Sequence, residues 1–317
     1  MPDPGLTAAP GATAPPHSGP TRADLLDPAQ LAALGRIEIV ARWVVEGFLT
    51  GLHRSPRKGF SVEFAEHRPY MPGDDLRYLD WKIAARADRW MIKQFEEETN
   101  LRAAVVLDVS KSMDWSGSSD RLTKLAYGEH LVAALAHLLI RQKDAVGLVR
   151  FDDELKSVLT PRARSVHFYR LVRSLAEPFG GKGARISDAL FRAERMIRRP
   201  GLVIVVSDLL FEPRDIDGPV KSLRAAGHNV GVLHLMDPGE RALTMAGEAI
   251  FCDTESDLQV SVAVADVEDA YRETVEHVID EWRTLFSGAG VEYEVVTTDT
   301  PFGVPLRRAF RVRENLP

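Results

Sequence analysis

Asp108, Ser110 and Ser112 place three hard oxygens at alternate positions in LDVSKSM, and a second acid, Asp208, follows Ser207 in VVSDLL. A carboxylate followed by two hydroxyls can aim its oxygens at one point, a donor set that suits Mg²⁺ or another oxygen-seeking cation. The same residues in a turn can instead cap a helix and satisfy loop amides. A third chemistry would make Asp108 a nucleophile in phosphotransfer. That reaction usually wants a second acid two residues later, where this chain has Ser110.

Both acids close apolar runs. Ala103 to Asp108 and LVIVVS at 202–207 are apolar on both faces, the pattern of strands covered by helices on either side of a parallel sheet. In an open α/β sheet, ligands bind beyond the carboxyl ends of the strands, so two neighbouring strands of this kind would bring their acids to one crevice. The rest of residues 101–317 supplies the other layers. Apolar spacing predicts helices over 121–141, 164–176, 187–199, 214–227 and 266–287. Strands are predicted in AVGLVRF, NVGVLHLM, 249–252 and VEYEVVTT, with LKSVLT as a hairpin partner. This alternation gives an α/β fold with a doubly wound, mostly parallel sheet.

Upstream the texture changes. Residues 1–26 are rich in Pro and Ala with little to bury, and read as a disordered tail. From Pro28 to Leu52 apolar residues recur every three or four positions, predicting one amphipathic helix with Asp27 as N-cap and Gly51 near its end. Residues 53–100 show strand-like alternation at Phe60–Phe64 and Met91–Phe95, on either side of the turn-rich YMPGDDLRYLDW. We therefore read 27–100 as a helix plus a small β-rich subdomain and 101–317 as the α/β domain. In the subdomain Trp81 is expected to be buried, and Arg77 or Arg86 to pair with Asp74, Asp75 or Asp80.

Bulk properties exclude several functions. The formal net charge of −6 argues against a general affinity for nucleic acid or anionic membrane. Cys252 stands alone, so no internal disulfide or cysteine metal site can form. The longest apolar run, LVAALAHLLI, is too short to span a bilayer, and no signal-peptide pattern is present. A cytoplasmic protein is expected. The chain has no G-x-x-x-x-G-K-[ST] loop, H-E-x-x-H pair or G-x-S-x-G elbow, and His130 and His137 read as packed or solvated helix residues. The leading expectation is a non-catalytic interaction module. The alternative is a Mg-dependent phosphoryl or phosphodiester enzyme using Asp108 and Asp208.

FAEHRPYMPGDDLRYLDWKIAARADRWMIKQFEEE followed by LDVSKSM resembles the bacterial family called domain of unknown function 58. The likeness runs from about residue 27 to the end and is most specific over 60–113. It implies a von Willebrand factor A-like fold carrying a degenerate metal-ion-dependent adhesion site. In that site Asp108, Ser110 and Ser112 match the D-x-S-x-S ligands and Asp208 the late aspartate. Where the pattern has a threonine and an aspartate, GGKGARISDAL places Ala184 and Arg185. Weak binding of Mg²⁺ or Mn²⁺ is therefore expected, with Arg185 able to swing in and take the cation's place. Members of the family are often encoded beside MoxR-type AAA+ ATPases. The resemblance thus implies a protein partner, such an ATPase or its client, and a role in assembling or maturing a protein complex, with the crevice at Asp108 docking an acidic side chain.

Overall fold

The computed structural model describes residues 28–33, 35–52, 67–71, 86, 90–93, 101–178, 183–243, 247–252 and 259–314. The expectations for the N-terminal tail, the Asp27 cap, the strand at 60–64 and the surroundings of Trp81 lie outside them.

The six-stranded sheet is built from β3 (Arg102–Asp108), β4 (Ala145–Phe151), β5 (Leu155–Arg162), β6 (Leu202–Ser207), β7 (Asn229–Met236) and β10 (Glu292–Thr297), in the order β10-β7-β6-β3-β4-β5. Five strands are parallel, and only β5 runs antiparallel, as the hairpin partner of β4. Two antiparallel two-stranded ribbons lie apart from this sheet: β1 (His67–Pro69) with β2 (Met91–Lys93), and β8 (Glu248–Cys252) with β9 (Gln259–Ala263). The first realises part of the expected β structure between 53 and 100. Tyr70 continues it, donating its amide to the Trp90 carbonyl and setting its ring 5.8 Å from that of Trp90.

Strand β3 is central and buried from Ala103 onward. Its period of two divides the core: Ala103, Val105 and Leu107 enter one apolar cluster, Ala104 and Val106 the other. The first cluster is covered by α2 (Ile37–Leu52), α3 (Lys124–Arg141) and α4 (Ser165–Leu175), and by the C-terminal helix α9 (Gly303–Glu314). The second is covered by α5 (Ile186–Met196), α6 (Pro213–Ala225) and α8 (Val264–Gly288). The predicted doubly wound, mostly parallel sheet is the one formed.

Three details differ from the sequence reading. The single helix expected over 28–52 is two, α1 (Pro28–Ala33) and α2, because Gly35 breaks the run with φ of 105°, a conformation that favours glycine. Helix α9 was not anticipated, although Leu306, Ala309 and Val312 form its buried stripe, with buried Phe302 just ahead of it. A short helix, α7 (Pro238–Arg241), follows β7 directly, with Asp237 and Glu240 completing a capping box.

The entry to β6 is tight. A Cβ at Gly201 would collide with the carbonyl of Arg102 on β3 and with Ile197. The obstacle includes backbone, so it cannot simply rotate away. We expect Gly201→Ala to cost about 1–3 kcal/mol, measured by urea unfolding; unchanged stability would show that the strand entry has slack.

Candidate functional site

From β3 the chain moves first to β4 and β5 on one side, then returns to β6, β7 and β10 on the other. The switch point is therefore between β3 and β6, where the loops leave in opposite directions and open a crevice at the carboxyl edge. Leu107 pairs with Val206, which brings Asp108 beside Ser207 and just ahead of Asp208. Asp108, Ser110, Ser112 and Asp208 all sit at this edge, and all four are buried.

Their oxygens are engaged within the protein. Asp108 accepts from the Ser110 amide at 2.9 Å and from the Ser207 hydroxyl at 2.7 Å. The hydroxyls of Ser110 and Ser112 pair with each other at 3.1 Å. Ser207 also accepts from the amide of Leu209, which is held at φ of 55°. A bulky residue in the left-handed region is strained, and here the strain lies where the backbone turns out of β6 behind Asp208. Burial, then the charge of Asp208, pushes the Asp108 carboxyl up to about 7 against these hydrogen bonds.

The residue that completes the site is one that sequence reasoning missed. Lys124, the first residue of α3, is 1% exposed, and its ammonium lies 2.9 Å from Asp208 Oδ2 and 2.5 Å from Glu240 Oε1. Burial alone would lower its pKa, but the two carboxylates outweigh burial and raise it. A signal was present: Lys124 falls on the stripe with Tyr127, Gly128 and Leu131, at helical spacing on the face α3 buries. Arg185, able in principle to swing in and take the cation's place, points outward and faces Asp188 at 3.9 Å. Ala184 packs against the second core cluster, and its methyl group offers no ligand.

Asp237, beside Glu240, ties the crevice walls together. It accepts from Arg121 Nε at 3.1 Å and Nη2 at 2.9 Å, from the Gly239 amide at 2.7 Å and from the Thr298 hydroxyl at 3.2 Å. Behind Asp208, His234 shares a hydrogen bond of 2.7 Å with Tyr293, and burial pushes its pKa down to about 4. A cavity of about 240 Å³ opens from Lys124, Asp208 and Glu240 along Val278, Ile279 and Trp282 of α8, with Leu210 on its rim.

For a divalent ion the donor set is a poor fit. A metal needs Asp208, which Lys124 already holds, and no hydroxyl stands at residue 184. Among the described residues no group of three or more His, Cys, Asp or Glu side chains is arranged to hold a metal ion. The two histidines singled out in α3 are packed: His130 bonds the Ala126 carbonyl at 2.7 Å, and His137 lies against Phe168.

Comparison with known proteins shows the family. The family described as protein of unknown function DUF58 matches residues 66–283. The chain belongs to this family. Over 291 residues it is 29% identical to an uncharacterized protein of Mycobacterium tuberculosis, covering 88% of each chain. Among solved structures it is similar to the conserved hypothetical protein BatB from Bacteroides thetaiotaomicron, with 14% identity over 68% of this chain and 100% of that one, and a TM-score of 0.43. It is also similar to the SpRpn10 VWA domain, with 11% identity over 65% of this chain and 93% of that one, and a TM-score of 0.39. Its six-stranded, mostly parallel sheet with helices on both faces is the α/β architecture that the family resemblance implied. No helix among the described residues is long and apolar enough to cross a membrane.

Proposed function

We propose that this DUF58 protein is a non-catalytic protein–protein interaction module that works with a MoxR-type AAA+ ATPase, or with that ATPase's client, in assembling or maturing a protein complex. The observation that carries the docking site is the exposed rim of the carboxyl-edge crevice. Leu210 is 67% exposed two residues after Asp208, and Val278 of α8 is 41% exposed; both line the same cavity. Large aliphatic side chains held in water beside a cavity offer apolar area that a partner can bury, at roughly 25 cal/mol per Å². Beside this rim the part-exposed carboxylate of Glu240 adds a negative charge that can orient a partner.

The partner follows from the family resemblance and the docking position from the crevice, so the test separates them. A tagged full-length chain is expected to co-purify with the MoxR-type ATPase encoded in the same genome. Leu210→Asp, a change on an exposed loop that leaves the core intact, is expected to weaken that association at least tenfold, about 1.4 kcal/mol. Undiminished association of Leu210→Asp would move the docking surface elsewhere, and no association of the unaltered chain would remove the ATPase as partner.

A further inference from the structure

We propose that Lys124 is the resident cation of the carboxyl-edge crevice, balancing its carboxylates in place of a divalent metal ion, so that the site operates without one. The inference goes beyond the docking reading and holds whichever partner binds.

A lysine at the first position of an eighteen-residue helix is in the wrong place on general grounds, since the helix dipole puts partial positive charge there. Burying it adds a desolvation cost. Both costs are met by one arrangement: the ammonium donates to Asp208 on the β6 loop and to Glu240 on α7. These acids arrive from segments 84 and 116 residues away, so the three groups meet only when the sheet is complete. Lys124 thereby holds the one acid that a D-x-S-x-S site needs from a second strand.

The other donors are consistent with this. Asp108 is satisfied by the Ser110 amide and the Ser207 hydroxyl, and Ser110 and Ser112 satisfy each other. A divalent ion entering the crevice would have to displace the ammonium from Asp208 and then share a buried space with it. Arg185, 70% exposed on its side chain, takes no part. A tethered ammonium also leaves no open coordination position, so an acidic side chain of a partner finds no metal to bind. The accessible charge is instead Glu240, whose side chain is 24% exposed.

The decisive experiment titrates Mn²⁺ into the full chain and into Lys124→Ala by calorimetry, with thermal unfolding in parallel. The unaltered protein is expected to show no saturable binding tighter than about 1 mM. Lys124→Ala frees Asp208 and Glu240 and leaves room beside them. It should bind Mn²⁺ at least tenfold more tightly, and its lowered Tm should be recovered by Mn²⁺ but not by NaCl of equal ionic strength. Adding Asp208→Asn should abolish the gain. Micromolar binding by the unaltered protein, or a folded Lys124→Ala with no gain, would overturn the proposal. Should Lys124→Ala fail to fold with or without Mn²⁺, ¹⁵N-lysine spectra of the unaltered protein decide. A slowly exchanging ammonium that Mg²⁺ in large excess leaves in place supports the proposal, and its displacement by Mg²⁺ refutes it.

Discussion

Asp108→Asn is expected to gain on the unaltered protein by roughly 4 kcal/mol as pH rises from about 4 to 8. The cause is the Asp108 carboxyl, raised from 3.8 to about 7, first by burial and then by the charge of Asp208. Below pH 3.8 the group is protonated in both folded and unfolded chains and favours neither. Above that the unfolded chain releases the proton while the folded one keeps it, so stability falls as pH rises and the loss is complete once pH passes the folded value. Asparagine has no such proton. Its carbonyl still accepts from the Ser110 amide, and its amide faces Ser207, whose hydroxyl must turn. That rearrangement costs the same at every pH, so the informative quantity is the slope and not the offset.

Other groups titrate in the same window. Glu129 is pushed up to about 7, chiefly by burial, and loses stability with rising pH in the same direction. His234, held neutral down to about 4, acts oppositely and loses stability as pH falls below its usual range. Both remain in the variant, so the difference between the two proteins isolates Asp108. Urea unfolding of each at pH 4, 6 and 8 measures it. Parallel stability curves would mean that Asp108 ionises as freely as an exposed acid, and the electrostatic account of the crevice would fail.

Most of the sheet was legible in the sequence because its strands are buried on both faces. Runs such as LVIVVS and NVGVLHLM admit few other placements at their length. The site was half legible. Asp108, Ser110, Ser112 and Asp208 sit at strand ends, where a sequence pattern and the fold rule agree. Lys124 and Glu240 could not be joined to them, because a pair 116 residues apart leaves no periodic trace. A lysine among apolar residues at the start of a helix also reads first as a solvated end. Helix α9 escaped for a related reason. Pro305 and its arginines look like a polar tail, yet Pro305 falls in the helix's first turn, where no amide hydrogen bond is lost. The break at Gly35 is a backbone event that helical spacing cannot report.

The second large effect is expected at Asp237, whose side chain is fully buried and has four donors around it. Asp237→Ala should destabilise the protein by roughly 3–5 kcal/mol, since it leaves the Arg121 guanidinium without its carboxylate and the amides of α7 without their cap. The loss would not stay local. The loop after β3 packs so closely on this carboxylate that a Cβ at Gly117 would lie 2.6 Å from Asp237 Oδ1. Arg121 fastens the same loop to the end of β7, and Thr298 brings in the end of β10. Asp237→Asn keeps an acceptor for the Gly239 amide and Arg121 Nη2 but gives up the charge and turns a donor toward Arg121 Nε and Thr298, so a smaller loss of about 1–3 kcal/mol is expected. Releasing the clamp also loosens the turn whose Asp237 backbone amide donates to the second oxygen of Glu240 at 2.9 Å, and with it one of the two partners of Lys124. The alanine variant should therefore show faster exchange at the Lys124 ammonium as well as a lower Tm, while the asparagine variant shows the Tm change alone. Equal effects of Ala and Asn on both readouts would mean that the Arg121 ion pair, and not the cap, is what holds the crevice wall.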